Sequence, residues 1–302
     1  MKKINIIILV SIVFLFSSCE RSINIGCLDP DGDVETRTLN FDDFSDITIA
    51  IPSITEITQG NNHEVIIEAS SNIIDRIDSD SRKSGNDLDI EINGCVKFDE
   101  DEILIRITVP TLEAIKIEGT GTVVGTNTFT TSEDIKTEVE GTGTITLDIE
   151  GAVVVAAKIE GTGEIILEGS CQELKAEIEG TGEIDTDELT AQIVLAKIEG
   201  TGDIRCNVNE EIKIDIDGTG SVRASGVATT QEIKIEGAGS VRNFNLEADD
   251  TDVDIRGFGE VEVTCLSTLS VNIQGGGDVC YRGNPTIGEL NIDGLGQLSD
   301  CN

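Results

Sequence analysis

The sequence has few of the side chains that carry catalysis or stack on sugar rings. Among its 302 residues it has no Trp, one Tyr, one His and four Pro. His63 stands in the polar run 61–64, where we expect a surface turn, and it has no second imidazole to form a metal site or a catalytic pair with. Because an enzyme must offer an acid, a base or a nucleophile in a defined arrangement, we predict a non-enzyme without a cofactor. A polysaccharide-cleaving β-helical enzyme ranks behind the non-enzymatic alternatives, since such enzymes generally use aromatic platforms.

Basic residues are also scarce. The sequence has 21 Lys and Arg against 58 Asp and Glu, which gives a formal net charge of −37 at pH 7. Nucleic-acid binding needs a Lys/Arg footprint on the phosphates, so we expect no nucleic-acid partner. The same charge disfavours adsorption to anionic lipid headgroups. Such acidity can accompany disorder, but Ile and Val recur here in strict order, which indicates a folded chain.

A long apolar run occurs at the N-terminus alone. Lys2 and Lys3 precede the apolar residues 4–16, a run shorter than the about 20 residues that a membrane helix needs and typical of a secretory signal. The next residues, Phe16-Ser17-Ser18-Cys19, resemble the bacterial lipobox, in which the Cys is acylated. We therefore expect a signal peptide over 1–18, a lipid on Cys19 and a tether over 19–38. The lipid would attach the chain to the outer membrane of a Gram-negative bacterium, facing either the periplasm or the exterior.

One repeated motif dominates the rest of the sequence. It is Gly-x-Gly, preceded by an apolar residue and a charged or polar one, and ten copies follow one another at spacings of 18–22 residues. The first glycines of the copies are Gly119, Gly141, Gly161, Gly180, Gly200, Gly218, Gly237, Gly257, Gly275 and Gly294. Repeats of this length are typical of solenoids, in which each unit buries its apolar face against its neighbours.

The residues around each glycine alternate with a period of two. The positions two before and four after it are Ile, Val or Leu in all ten copies, whereas the position three after it is always polar. Alternation with β-branched residues on one face predicts strands. We therefore predict an all-β fold: a parallel β-helix of about ten turns over 113–302, expected to be right-handed, with an N-terminal β cap over 39–112.

Two columns of charged residues support stacking of the turns in register. The position three before the glycine alternates in sign: Lys116, Glu138, Lys158, Glu177, Lys197, Asp215, Lys234, Asp254. The position one before it is acidic: Glu118, Glu140, Glu160, Glu179, Glu199, Asp217, Glu236. Opposite charges on neighbouring strands stabilise a pairing and like charges weaken it. The acidic column is therefore either relieved by the neighbouring lysines and water or bridged by weakly bound Ca²⁺, which prefers carboxylate oxygens.

The cysteines are compatible with an oxidising compartment. Seven remain beyond Cys19, and none lies in a CxxC motif. Cys280 and Cys301 stand at odd offsets from their glycines in successive turns, so we expect a disulfide between neighbouring strands. Cys206 and Cys265 stand at even offsets and should point inward. An odd total leaves at least one cysteine outside intramolecular pairs.

The order of several short motifs resembles the head GIN domain family. These motifs are Phe44-Ser45-Asp46-Ile47, Gln59-Gly60, Val65-Ile66-Ile67, Leu88-Asp89-Ile90 and Val109-Pro110-Thr111-Leu112, followed by the glycine turns. Residues 277–285 are similar to the family ending Gly-Asp-Val-x-Tyr-x-Gly-x-Pro. The resemblance implies a β-helical adhesin head, often carried on lipoproteins, and brings no catalytic residue.

Two non-enzymatic functions remain open from the sequence. The first is an adhesin or binding scaffold, a rigid acidic rod that presents a surface to a glycan, a host protein or an envelope protein. The second is a structural envelope component whose rods associate through their ends or sides, since exposed strand edges favour polymerisation.

Acylation of Cys19 is directly testable. Mass spectrometry of the mature N-terminus should find a lipid on Cys19, and Cys19→Ser should release the protein from the membrane fraction. A wild-type protein that is soluble and begins at another residue would contradict this prediction.

Overall fold

The protein is a rod of stacked parallel turns. The computed structural model describes residues 27–97 and 103–302 and forms a β-solenoid of about nine turns, because ten Gly-x-Gly motifs enclose nine turns. At about 4.8 Å per turn, the regular part is on the order of 45 Å long. The predicted signal peptide over 1–18 and Cys19 lie outside the described residues.

The N-terminal part contains seven strands and one helix. They are β1 Val34–Leu39, β2 Asp46–Ala50, β3 Ile54–Gln59, β4 Glu64–Ser70, α1 Ser71–Asp80, β5 Arg82–Ser84, β6 Asp87–Glu91 and β7 Leu104–Val109.

The glycine turns supply the remaining strands. They are β8 Ala114–Gly119, β9 Thr122–Gly125, β10 Phe129–Thr130, β11 Ile135–Gly141, β12 Thr144–Gly161, β13 Glu164–Gly180, β14 Glu183–Gly200, β15 Asp203–Gly218, β16 Ser221–Gly237, β17 Ser240–Gly257, β18 Glu260–Gly275, β19 Asp278–Arg282, β20 Thr286–Gly294 and β21 Gln297–Asp300.

The apolar columns of the sequence form the core. Ile178, Ile198 and Ile216 are register partners in successive turns, and the exposed fraction of each is 0%. Full burial of such a side chain is worth about 1.5–3 kcal/mol relative to leaving it exposed. Each turn therefore gains most of its stability from the turns above and below it.

The glycines fix the corner between turns. Gly141 has φ +124°, and a Cβ on it would lie 2.6 Å from the carbonyl oxygen of Gly119 in the preceding turn. The same oxygen accepts a hydrogen bond of 2.8 Å from the backbone N–H of Thr142. The first glycine is thus required by both its dihedral angle and the close approach of two backbones.

The N-terminal part both extends and closes the stack. Ile49 of β2 is the register partner of Ile117 in β8, and β3 pairs in parallel with β9, so these strands continue the solenoid. The closing elements are β4, which is antiparallel to β7, and β1, which is antiparallel to β4. The helix α1 buries Ile73, Ile74 and Ile77. Because β1 lies within the range expected to be a tether, the folded part begins before residue 39.

Two disulfides lie at opposite ends of the rod. Cys280 and Cys301, the pair expected from the sequence, are joined with their Cα atoms 5.8 Å apart. Cys27 and Cys95 are also joined, across 68 residues, which the sequence did not indicate. In the described part Cys171, Cys206 and Cys265 are free and buried, and burial raises the pKa of the Cys206 thiol to about 12.

Replacement of Ile198 tests the inward assignment. Ile198→Ala should lower the free energy of unfolding by about 2–5 kcal/mol, because it leaves a cavity in a fully buried column, and Ile198→Asp should lower it further. Glu164→Gln, an outward change in a neighbouring turn, serves as the control and should be close to neutral. Thermal or denaturant melts measure all three, and a wild-type melt for Ile198→Asp would overturn the assignment.

Candidate functional site

One flat face of the rod carries most of its patterned side chains. In each turn the residues seven, five, three and one before the first glycine point outward from the same strand segment, as do Val154, Ala156, Lys158 and Glu160 in β12. We call this surface, from Asp134 to Asp254, the striped face. Its four columns follow the rod axis, because the turns are in register there.

The first two columns of the striped face repeat every second turn. Acidic–lysine pairs alternate with aliphatic pairs along the rod, and a hydroxyl–acid pair and an acid–acid pair follow. In order these pairs are Asp134/Lys136, Val154/Ala156, Glu173/Lys175, Ile193/Leu195, Glu211/Lys213, Thr230/Glu232 and Asp250/Asp252. Over the first five pairs the chemical repeat of this surface is therefore two turns, about 9.6 Å.

The third column confirms the alternation of charge predicted from the sequence. Lys197 is the register partner of Glu177 on one side and of Asp215 on the other. Its Nζ lies 2.6 Å from a carboxylate oxygen of Glu199 and 3.1 Å from one of Glu177. These hydrogen bonds raise the pKa of Lys197, and the bond from Lys197 lowers the pKa of Glu199. Exposed pairs of this kind contribute little individually, so their main effect is to select one register.

The fourth column is the predicted acidic ladder, and six of its seven carboxylates, all but Asp217, form ion pairs with lysines. Lys158 Nζ lies 2.6 Å from Glu160 and 3.0 Å from Glu179. Within residues 27–97 and 103–302, no group of three or more His, Cys, Asp or Glu is placed to hold a metal ion. The calcium hypothesis for Glu118, Glu140, Glu160, Glu179, Glu199, Asp217 and Glu236 thus receives no support from the geometry.

The charged columns end in an amide ladder. Asn272 Nδ2 donates a hydrogen bond of 2.9 Å to Asp254, and Asn291 Nδ2 donates one of 2.9 Å to Asn272. Arg256 follows Glu236 in the acidic column and lies 3.3 Å from it and 3.2 Å from Asp254. Arg256 therefore continues the ion-pair network, and Phe258 beside it is exposed.

Two surface hollows lie on the first two columns of the striped face. The N-terminal hollow has a volume of about 830 Å³ and is bordered by Asp46, Glu113, Lys136, Val154 and Lys175. The C-terminal hollow has a volume of about 460 Å³ and is bordered by Glu211, Glu232, Asp250, Asp252 and Ser270. The sequence did not indicate either hollow, because each is lined by residues of several successive turns rather than by any one motif.

Carboxylates dominate the electrostatics of both hollows. Burial, followed by repulsion from Glu232, raises the pKa of Asp252. Burial, followed by repulsion from Asp87, raises the pKa of Asp46. A ligand that brings hydrogen-bond donors or a positive charge would relieve this repulsion, whereas an anionic ligand would add to it.

The core beneath the C-terminal hollow is more polar than elsewhere along its column. Gln231 and Thr251 stand between Ile212 and Leu269 in an inward-facing column. Gln231 Nε2 and Oε1 and Thr251 Oγ1 are buried and have no hydrogen-bond partner within the described residues. Since buried polar atoms without partners destabilise a fold, these turns have a weaker core than their neighbours.

His63 has a structural contact rather than a free surface position. Its Nε2 lies 3.0 Å from the carbonyl oxygen of Phe44, and the two rings lie 4.8 Å apart. Residues 61–63 form the predicted turn between β3 and β4, and the half-buried ring packs against Phe44 just before β2.

The repulsion at Asp252 predicts a pH-dependent stability. Because the pKa of Asp252 is raised on folding, its ionised form destabilises the folded state at neutral pH, and this cost disappears as the pH falls through the raised pKa to the unfolded value near 3.8. Asp252→Asn should therefore raise the melting temperature at pH 7 and have no effect near pH 3.5. Asp250→Asn is the matched control, since Asp250 has Thr230 and Thr268 as register partners. A gain for Asp252→Asn that is the same at both pH values would contradict the assignment.

Several solved structures share this fold. One is described as a "putative adhesin" from Bacteroides fragilis NCTC 9343, with 24% identity, a TM-score of 0.56 and coverage of 90% of this chain and 99% of that chain. A second "putative adhesin", from Parabacteroides distasonis ATCC 8503, has 16% identity, a TM-score of 0.55 and coverage of 91% and 100%. A third, also from Parabacteroides distasonis ATCC 8503, is described as a "putative lipid binding protein", with 18% identity, a TM-score of 0.51 and coverage of 92% and 100%. A search of the curated proteins finds no match.

The sequence itself matches one protein family over most of its length. The family is described as "Putative auto-transporter adhesin, head GIN domain", and the match covers residues 43–228 and 213–285. These ranges include β2 to β7 with α1 of the N-terminal part and all but the last of the glycine turns. The chain belongs to the head GIN domain family, as its motifs indicated.

Proposed function

We propose that this protein is a non-enzymatic binding rod of the cell envelope, anchored by a lipid on Cys19, whose striped face binds an extended glycan. The family to which the chain belongs and the similarity of its fold to putative adhesins support an adhesin-type role. The anchor rests on the lipobox-like residues 16–19. No helix among the described residues is long and apolar enough to cross a membrane.

The two-turn repeat of the striped face carries the proposal. A linear β-1,4-linked glycan repeats every two sugars, and one such disaccharide has about the length of two turns, about 9.6 Å. Between residues 134 and 213, a chain lying along the rod axis would therefore meet one acidic–lysine pair and one aliphatic pair per disaccharide. An extended peptide does not match this spacing, since its strand repeat of two residues is about 6.8 Å.

The chemistry of the face limits the glycan class. Val154/Ala156 and Ile193/Leu195 offer aliphatic contacts for the CH faces of sugar rings, and the turns between them offer Glu173, Lys175, Glu211 and Lys213 for hydroxyl groups. Because carboxylates surround both hollows, a neutral or amine-bearing glycan fits, and a glycan rich in uronic acid or phosphate is repelled.

A glycan array tests the proposal with the full chain carrying Cys19→Ser. Neutral and amino-sugar β-linked oligosaccharides should bind, with an affinity that rises in steps of two sugars. Leu195→Lys and Asp252→Lys should weaken binding at least tenfold, whereas Glu168→Lys, an exposed acidic position outside the striped face, should bind like wild type. Absence of binding to all neutral and amino-sugar chains, or equal binding by all variants, would overturn the proposal.

A second function, association between rods, is favoured by a different observation. The striped face runs along the flank, whereas exposed apolar side chains cluster at the C-terminal end, where Leu290 and Leu295 are 50% and 94% exposed.

A further inference from the structure

The last turn of the rod exposes the side chains that every earlier turn buries. Val271 and Ile273 are 1% and 0% exposed, but their register partners Leu290 and Ile292 are 50% and 38% exposed. Ile287, the partner of Leu269, is 37% exposed. The apolar columns therefore reach solvent at this end, which we call the C-terminal tip (residues 286–302).

The backbone of the tip is also unpaired on its outer side. Strand β20 pairs with β18, and β21 pairs with β19, and neither has a second neighbour among the described residues. An open edge with apolar side chains is a template for another strand. The disulfide between Cys280 and Cys301 holds this edge in place.

The two ends of the rod are not equivalent. At the N-terminal end, β4 runs antiparallel to the stack, β1 pairs with the outer side of β4, and α1 buries three Ile side chains. Because the apolar side chains of these elements are buried, a C-terminal tip meets no open apolar column on the N-terminal end of another copy. A tip facing another tip has no such obstacle and gives a closed twofold pair rather than a filament.

The sequence of β20 is compatible with pairing to itself. In an antiparallel pair centred on Leu290, each Leu290 lies opposite the other, and Glu289 lies opposite Asn291. Asp293 lies opposite Ile287, so no carboxylate faces another carboxylate across the pair. The neighbouring registers, centred on Glu289 or on Asn291, would place Glu289 opposite itself or opposite Asp293, which is unfavourable.

We propose that the C-terminal tip binds the tip of a second copy through antiparallel pairing of β20, and that this pairing joins opposed membranes. The orientation rests on the proposed lipid at Cys19, which places the N-terminal end at the membrane and the tip away from it. Two rods of on the order of 45 Å joined at their tips would separate the two attachment points by about 90 Å. The contact is small, so single pairs are weak and adhesion arises from many copies acting together.

Analytical ultracentrifugation of the full chain with Cys19→Ser tests the pairing. The protein should show a concentration-dependent equilibrium between monomer and dimer. Leu290→Lys and Ile292→Lys should shift it to monomer by at least tenfold in Kd, whereas Val227→Lys, at a flank position that is 47% exposed, should not. A wild-type protein that is monomeric at all concentrations, or Lys variants that dimerise like wild type, would overturn the proposal.

A cysteine variant tests the register without depending on weakened binding. Residues directly opposite in an antiparallel pair have Cα atoms about 4.5–5.5 Å apart, which is within the range of a disulfide. Leu290→Cys should therefore form an intermolecular disulfide under mild oxidation, and the exposed control Val227→Cys should not. Equal crosslinking of the two variants, or none at position 290, would exclude this register.

A bead-aggregation assay tests whether the pairing of tips can join two surfaces. Beads that carry the chain through an N-terminal biotin should aggregate, soluble Cys19→Ser chain should inhibit the aggregation, and Leu290→Lys beads should stay dispersed. Dimerisation in solution without bead aggregation would exclude the joining of membranes. None of these experiments contains a glycan, so they can fail while the glycan proposal stands, and the reverse also holds.

Discussion

The structure depends on the contact between glycines of successive turns. The carbonyl oxygen of each first glycine receives the N–H that follows the next first glycine, as between Gly119 and Thr142, and a Cβ at Gly141 would displace that oxygen. This contact fixes the height and the register of every turn. The isoleucine columns, the charge ladders and the striped face all follow from it, because a slip of one residue would turn each inward side chain outward.

Most of the fold could be predicted because the chain repeats one rule ten times. The residues around Gly161 follow the same apolar and polar pattern as those around Gly200, so an ambiguous residue in one turn can be interpreted from its counterparts in the other turns. Exceptions to the rule were harder to predict. The disulfide between Cys27 and Cys95 joins residues outside the repeat, and the hydrogen bond of His63 depends on the path of the chain near Phe44. The hollows are lined by residues of several successive turns, which no single motif identifies in the sequence.

The outward side chains of the striped face fall into two groups, charged residues that select the register and aliphatic residues that do not. Lysines that alternate with carboxylates, as Lys197 does with Glu177 and Asp215, select the register and therefore belong to folding. The aliphatic pair Ile193/Leu195 contributes nothing to that selection, yet it recurs at the same two-turn interval as Val154/Ala156. In a protein whose surface had only to keep it folded and soluble, we would expect polar side chains at these outward positions.

The parallel register also determines how the rod responds to force. A pull along its axis acts across the interfaces between turns, and in the interface of β13 with β14 the load is divided among the backbone hydrogen bonds of 14 register pairs. Bonds loaded together must break together, whereas bonds peeled from one end break in sequence. Peeling would start at the chain ends, and there the disulfides Cys27–Cys95 and Cys280–Cys301 tie the outermost segments to the stack. The rod is therefore mechanically stiff along its axis.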